Sequence, residues 1–294
     1  MLRRAVAALT ALAAAAALSA CTSKSEDPDA TSPAGFSGSA TPEATSAGAP
    51  QQNLPVQTQE LQFNRDGSRP LPTKVWLPAS GGPYPLIYFS HGLTSQPDDY
   101  ADLLNAWAQA GFVVAAPKYP HTWNQAPEYR ADDVVNQPAD ARYVITEVLK
   151  ALPAQIDPNR IAAAGHSAGA ITTIGLFSGS RDERLKAGVL LAGRQMPEPA
   201  PFSGTAAPLL FVQGKLDTTV TYEQAYGAYN EVTWPKAFLE IPQGTHLPHR
   251  DQPVVVATTT TDFWRWALYG DEAAKARLPQ DAAATGAAGL TGTL

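Results

Sequence analysis

A serine hydroxyl attacks an ester only when a nearby base takes its proton and an acid orients that base. Three residues sit in settings that suit those parts. Ser167 lies in Gly165-His166-Ser167-Ala168-Gly169, directly after the apolar run Ile161–Ala164 and before a small-residue helical pattern. Glycines two residues to either side of a serine remove the Cβ atoms that would clash in a sharp strand-to-helix turn, and the hydroxyl is left exposed at a helix N-terminus. Asp217 follows the apolar run Pro208–Gly214 within Gly214-Lys215-Leu216-Asp217, and His246 follows Lys236–Ile241 within Gln243-Gly244-Thr245-His246. Each is placed in a loop after a buried strand, and their chain order is Ser, Asp, His.

These residues need a scaffold that brings strand ends together. Val56–Phe63 alternates and Lys74–Leu77 forms a second strand, with Asp66-Gly67 as a turn between them, so this pair reads as antiparallel. Beyond it, continuous apolar runs typical of strands covered on both faces occur at Pro85–Ser90, Phe112–Pro117, Ile161–Ala164, Ala187–Ala192 and Pro208–Gly214. Helical spacing separates them at Asp98–Ala110, Pro138–Leu152, Ser167–Phe177 and Tyr222–Tyr229, and closes the series at Pro253–Leu268. Asp157-Pro158-Asn159 reads as a turn. The alternation predicts an α/β chain with a mostly parallel central sheet and helices on both faces. Loops at the carboxyl ends of such strands are where ligands bind.

From Leu54 to Leu278 the chain resembles the α/β-hydrolases of the dienelactone-hydrolase-like, cutinase-like and polyester-hydrolase-like bacterial group. The resemblance is carried by Phe89-Ser90-His91-Gly92, by Ile156–Ile161 leading into Gly165–Gly169, by Gly214–Asp217 and by Gly244-Thr245-His246. It implies Ser167 as nucleophile, His246 as general base and then acid, and Asp217 as its orienter. It also implies an oxyanion hole from the backbone N–H groups of Ala168 and Leu93, and no cofactor. Dienelactone hydrolases proper carry cysteine where this chain has Ser167. Actinobacterial cutinases carry a disulfide, which a single cysteine does not allow.

Other residues are read against plainer roles. His91 is expected to structure the oxyanion loop, His166 to pack beside the elbow, and His249 is a rival to His246 that follows Pro248. Asp132, Asp133 and Asp140 surround a helix start, where carboxylates favour the helix dipole without any chemistry. Trp76, Trp107, Trp264 and Trp266 are expected in the core, and Trp123 and Trp234 along a cleft. The irregular aromatic stretch 118–137 offers His121 and Trp123 as substrate-binding residues. The short segment Gly193–Ala207 leaves no room for a large lid, and its Met196, Pro197 and Phe202 suggest an apolar rim, with Met196 touching substrate. No zinc pattern and no dinucleotide fingerprint is present, so no metal is expected.

At the amino end, Arg3 and Arg4 precede an apolar run ending in Leu18-Ser19-Ala20-Cys21, which resembles the lipobox of bacterial lipoproteins. Residues 1–20 are therefore expected to be a signal peptide, with Cys21 lipidated. Residues 21–53 form a flexible tether, 54–278 the catalytic domain and 279–294 a disordered tail. The expected location is extracytoplasmic, on the outer face of the cell membrane. A net charge of −6 with no dense Lys/Arg cluster argues against nucleic acid, and a monomer is expected. The function that follows is a serine carboxylesterase acting through an acyl-enzyme on a small-molecule or polymeric ester, with acyl groups of short to medium length. The alternatives are an acyltransferase of envelope lipids on the same triad, or a non-catalytic binding lipoprotein on a hydrolase scaffold.

Overall fold

The computed structural model describes residues 48–50, 53–196 and 198–294. The expected signal peptide, Cys21, Pro197 and nearly all of the expected tether lie outside the described residues. The chain opens with β1 (Val56–Arg65) and β2 (Arg69–Pro78), paired antiparallel from Val56↔Pro78 to Arg65↔Arg69. Asp66 (φ 57°) and Gly67 (φ 71°) both take positive φ at the hairpin turn, the combination whose twist matches that of two antiparallel strands. The alternating units follow: β3 (Tyr84–Ser90), α1 (Ala101–Gln109) after a short 3-10 turn, β4 (Val113–Pro117), a second 3-10 turn (Ala131–Asn136), α2 (Gln137–Ala151), β5 (Ile156–His166) and α3 (Ala168–Leu176). Then come β6 (Leu185–Leu191), β7 (Leu209–Gly214), α4 (Tyr222–Glu231), β8 (Lys236–Ile241), the short α5 (Pro248–Asp251), α6 (Pro253–Tyr269), α7 (Glu272–Ala283) and β9 (Gly289–Thr293).

The sheet order is β1-β2-β4-β3-β5-β6-β7-β8-β9, with β4, β3, β5, β6, β7 and β8 parallel. This is an α/β-hydrolase sheet. Successive residues of its central strands point to opposite faces, and the core divides accordingly. Leu86, Tyr88, Ile161 and Ala163 pack with Val144, Ile145 and Val148 of α2. Ile87, Phe89, Ala162 and Ala164 pack with Leu104 and Trp107 of α1 and Val256, Phe263 and Trp264 of α6. Trp107 and Trp264 meet edge-on with centroids 5.7 Å apart, a geometry that adds about 1 kcal/mol beyond area burial.

Five sequence expectations need correction. Asp157-Pro158-Asn159, read as a turn, lies within β5. The pairing register shifts between Tyr84 and Leu86 on β3, an irregularity at which a residue without an N–H is tolerated. Trp266 is half-buried rather than core, although Trp76, Trp107 and Trp264 are buried. Trp234, expected along a cleft, packs its ring edge-on against Phe177 and Phe202, which also turns Phe202 inward from the expected rim. The tail expected to be disordered from 279 is instead ordered: α7 runs to Ala283 with Leu278 and Ala282 buried, and β9 pairs antiparallel with β8 from Lys236↔Thr293 to Glu240↔Gly289. Backbone pairing along a sheet edge needs no run of large apolar side chains, so a strand of Gly, Leu and Thr suffices. Between β6 and β7 no helix or strand forms among the described residues of Gly193–Ala207, and no lid domain is built there.

Candidate active site

The parallel strands end on one side of the sheet, and the chemistry is assembled there. Between β5 and α3, Ser167 holds φ 55° and ψ −119°, a conformation that costs a residue with a Cβ about 1–3 kcal/mol and persists only where surroundings enforce it. The enforcement is visible. The Ser167 N–H donates to the Leu191 carbonyl at 2.9 Å. A Cβ on Gly165 would overlap the Gly169 carbonyl, and one on Gly169 would overlap the Ser90 carbonyl. Only glycine at both places lets the turn close.

Asp217 sits in the loop after β7, its side chain fully buried. Its Oδ1 accepts from the Thr219 and Val220 N–H groups at 2.8 and 3.0 Å, and its Oδ2 accepts from Gln213 Nε2 at 3.1 Å. Oδ2 also lies 2.8 Å from His246 Nδ1, and His246 Nε2 lies 2.9 Å from Ser167 Oγ. The carboxylate thus requires a proton on Nδ1 and leaves Nε2 as the acceptor facing the serine. The acid and base loops touch directly: a Cβ on Gly214 would overlap the backbone of Gly244 and Thr245, and the Leu216 N–H donates to the Gly244 carbonyl at 2.9 Å. Thr245 is held in turn by Asp251 Oδ2, which accepts from its N–H at 2.5 Å and its hydroxyl at 2.8 Å.

Ala168 opens α3, where the first N–H groups have no intrahelical acceptor. Leu93 follows β3 in the adjacent loop, and neither its N–H nor that of Ala168 meets an acceptor among the described residues. Two free donors, one of them at a helix N-terminus, suit an oxyanion. Leu93 and Met196 pack against Val134, Ala168 and Ile171, which places Met196 at an apolar rim beside Ser167.

Three buried histidines organise the surroundings. His91 Nδ1–H donates to the Gly92 carbonyl at 2.8 Å, and its Nε2 accepts from the Tyr119 N–H at 3.1 Å. Burial pushes it down to about 4. His166 is likewise neutral, held well below its ordinary value by burial and by neighbouring His249. Its Nε2–H donates to the His246 carbonyl at 2.7 Å, since a carbonyl can only accept, and its Nδ1 accepts from the Tyr100 hydroxyl at 2.9 Å. The Tyr100 oxygen also accepts from the Gly92 N–H at 3.1 Å. One buried chain therefore joins the oxyanion loop, the elbow and the loop of His246. His249 stands behind it, its ring 5.0 Å from both Tyr100 and His166, with neither nitrogen hydrogen-bonded and burial pushing it down to about 4. It does not contact the serine as the rival base would.

Tyr100, Gln213 and Asp251 were missed in the sequence. Gln213 left a trace there, being an uncharged polar residue inside the apolar run of β7, where it is fully buried. Tyr100 left none, because an aromatic at helical spacing reads as core. Asp133 and Asp140, read as helix-start residues, are bound instead by cations from the β1–β2 hairpin: Arg69 Nη2 lies 2.8 Å from Asp133 Oδ2 and 2.5 Å from Asp140 Oδ2, and Arg65 Nε lies 2.8 Å from Asp140 Oδ1. These bonds hold Arg69 above its ordinary value. Asp133 is net lowered, since the Arg69 contacts outweigh the upward push of burial. His121 and Trp123 do not join the triad; they line a separate cavity of about 510 Å³ with Pro70 and Pro72 of β2.

Among the described residues no group of His, Cys, Asp and Glu side chains is arranged to hold a metal ion, and no helix is long and apolar enough to cross a membrane. A profile of the chlorophyllase family matches residues 46–193, half of the chain and inclusive of the elbow. The chain is 30% identical to Chlorophyllase-1 of Arabidopsis thaliana over 151 residues, 49% of this chain and 44% of that protein. It is 29% identical to Cutinase 2 of Thermobifida cellulosilytica over 176 residues, 59% of this chain and 64% of that one. Cutinase cut1 of Thermobifida fusca is also 29% identical over 176 residues, covering 59% and 53%. The chain thus spans less than two thirds of the length of each of these relatives.

Proposed function

The chain belongs to the chlorophyllase family, and on that premise we propose that it is a serine hydrolase that cleaves carboxylic esters through an acyl-enzyme. The observation that carries the reading is the unbroken contact from Ser167 Oγ to His246 Nε2 and from His246 Nδ1 to Asp217 Oδ2, at 2.9 and 2.8 Å. In the first half-reaction Ser167 Oγ attacks the ester carbonyl while His246 Nε2 takes its proton. The oxyanion is received by the N–H groups of Leu93 and Ala168, and each such donor is worth about 3 kcal/mol of transition-state stabilisation. His246 then protonates the departing alcohol. Water repeats the sequence on the acyl-enzyme, releasing the acid and restoring Ser167. Throughout, Asp217 keeps the imidazole in one tautomer and stabilises its charged form.

Ser167→Ala is expected to abolish both hydrolysis of p-nitrophenyl butyrate and covalent labelling by a fluorophosphonate. Retention of both activities excludes the assignment. The location proposed is extracytoplasmic, with a lipid on Cys21, supported by the Arg3-Arg4 pair, the apolar run and the Leu18–Cys21 motif. Mass spectrometry of the amino-terminal peptide tests this, and an unmodified Cys21 in a membrane-fraction protein refutes it.

A further inference from the structure

We propose that the cavity lined by Pro70, Pro72, Lys118, His121, Trp123 and Pro127 receives the distal, apolar end of the substrate's acyl chain, so that medium and long acyl esters are preferred to short ones. This rests on the esterase reading of Ser167. The cavity's volume of about 510 Å³ lies in the range of small-molecule sites, which are typically apolar with a few polar groups. Its walls are mostly proline and tryptophan. Proline has a fixed φ and no N–H to satisfy, so these walls are stiff and offer few donors. Lys118 and Glu128 both line the cavity, and their charges are opposite, so nothing there selects an ion. Lys118 Nζ lies 4.4 Å from the Trp123 ring centroid, holding the indole in place. His121 is oriented by the Nδ1–H bond to the Glu128 carbonyl at 3.0 Å.

The direction of the acyl chain follows from the reaction. His246 Nε2 must reach the leaving oxygen, so the alcohol lies on the side from which His246 comes. That side is β8, because His246 follows β8 and Asp217 follows β7 in the order β4-β3-β5-β6-β7-β8. The acyl part leads the other way, towards β3 and β4. There the loop carrying Trp123 is bonded to the oxyanion loop: the Thr94 N–H donates to the Thr122 carbonyl at 2.7 Å, and the Tyr119 N–H to His91. From β5 to β4, whose loop forms the near wall, is two strand spacings, about 10 Å, and to β2, whose Pro70 and Pro72 form the far wall, it is three, about 14 Å. An extended decanoyl chain passes the near wall at about 10 Å and enters the cavity, and a butyryl chain ends short of it.

The test compares kcat/KM for p-nitrophenyl decanoate and butyrate in the full-length protein, in Ser68→Trp and in Trp123→Ala. Ser68 is exposed at the end of the β1–β2 turn and lines the cavity, so a tryptophan there fills the space without entering the core. The decanoate-to-butyrate ratio is expected to fall about tenfold in both variants. A ratio within twofold of the parent in Ser68→Trp overturns the proposal. Calorimetric binding of N-ethyldecanamide, which carries the same acyl arm and resists cleavage, reads the cavity without hydrolysis, and its Kd should rise about tenfold in Ser68→Trp. An unchanged Kd overturns the cavity assignment. A protein that cleaves neither ester yet shows the tenfold binding difference overturns the esterase reading and leaves the cavity assignment standing.

Discussion

Tyr100→Phe removes one oxygen and leaves the ring, and that makes it the sharpest probe of how the three loops are held together. The ring contacts with Phe89, His166 and His249, at centroid distances of 4.8, 5.6 and 5.0 Å, are all retained by phenylalanine. What is lost is a hydroxyl that accepts from the Gly92 N–H and donates to His166 Nδ1. Both partners are buried, and a buried polar group stripped of its partner costs about 1–3 kcal/mol. The expected loss of stability is therefore about 2–6 kcal/mol by urea unfolding, with the two costs treated as additive. Catalysis should suffer separately. Gly92 precedes Leu93, so freeing its N–H loosens an oxyanion donor, and freeing His166 loosens its grip on the His246 carbonyl. If each shift weakens only transition-state contacts, kcat falls about tenfold, equivalent to about 1.4 kcal/mol, while KM stays level. The assay is steady-state hydrolysis of p-nitrophenyl butyrate at a urea-free temperature well below unfolding. A kcat within twofold of the parent, in a variant that has lost the expected stability, shows that the chain of bonds braces the fold without positioning the reacting groups.

Acid should unfold the protein through its neutral histidines. His91 and His249 are pushed down to about 4 from an unfolded value of about 6.5, so the unfolded chain binds protons that the folded one refuses, and stability is complete above pH 6.5 and lost as pH falls towards 4. Each is worth on the order of 3 kcal/mol across that window, and His166 acts in the same direction. Asp281 opposes them: burial and neighbouring Asp262 raise it to about 7, so its contribution is present at acid pH and lost as pH rises through 7. Three groups against one predicts net acid destabilisation, measured by urea midpoints between pH 4 and 7.5, and Asp281→Asn should steepen it; a flat profile contradicts the burial argument. Arg69→Met should destabilise by about 3 kcal/mol, because it leaves buried Asp133 without its cation and Asp140 with Arg65 alone. A loss below 1 kcal/mol by the same unfolding measurement would mean that Asp133 finds another partner.

The triad was readable from the sequence because each member is announced by backbone constraints that act within a few residues. The Gly165–Gly169 frame, the Gly214 and Gly244 contact and the apolar runs of β5, β7 and β8 all mark strand ends where only certain residues fit. The groups that hold the triad were not readable, because their marks are made across the fold. Tyr100 is an ordinary aromatic until it faces His166, sixty-six residues away along the chain, and Arg69 is an ordinary turn residue until it meets Asp140. The same distinction explains the tail. β9 joins the sheet through its backbone, with Gly292 at φ 103° pressed so near the Lys236 carbonyl that a Cβ would overlap it, so its side chains carry no period to detect. Trp123 shows the limit from the other side: its type and its loop suggested a substrate-binding residue, and it lines a cavity, yet the strand order puts that cavity at β4 and β2, two to three strands away from Ser167. A loop aromatic reports that something flat or apolar is accommodated, whereas the distance from the nucleophile decides which part of a substrate it can touch.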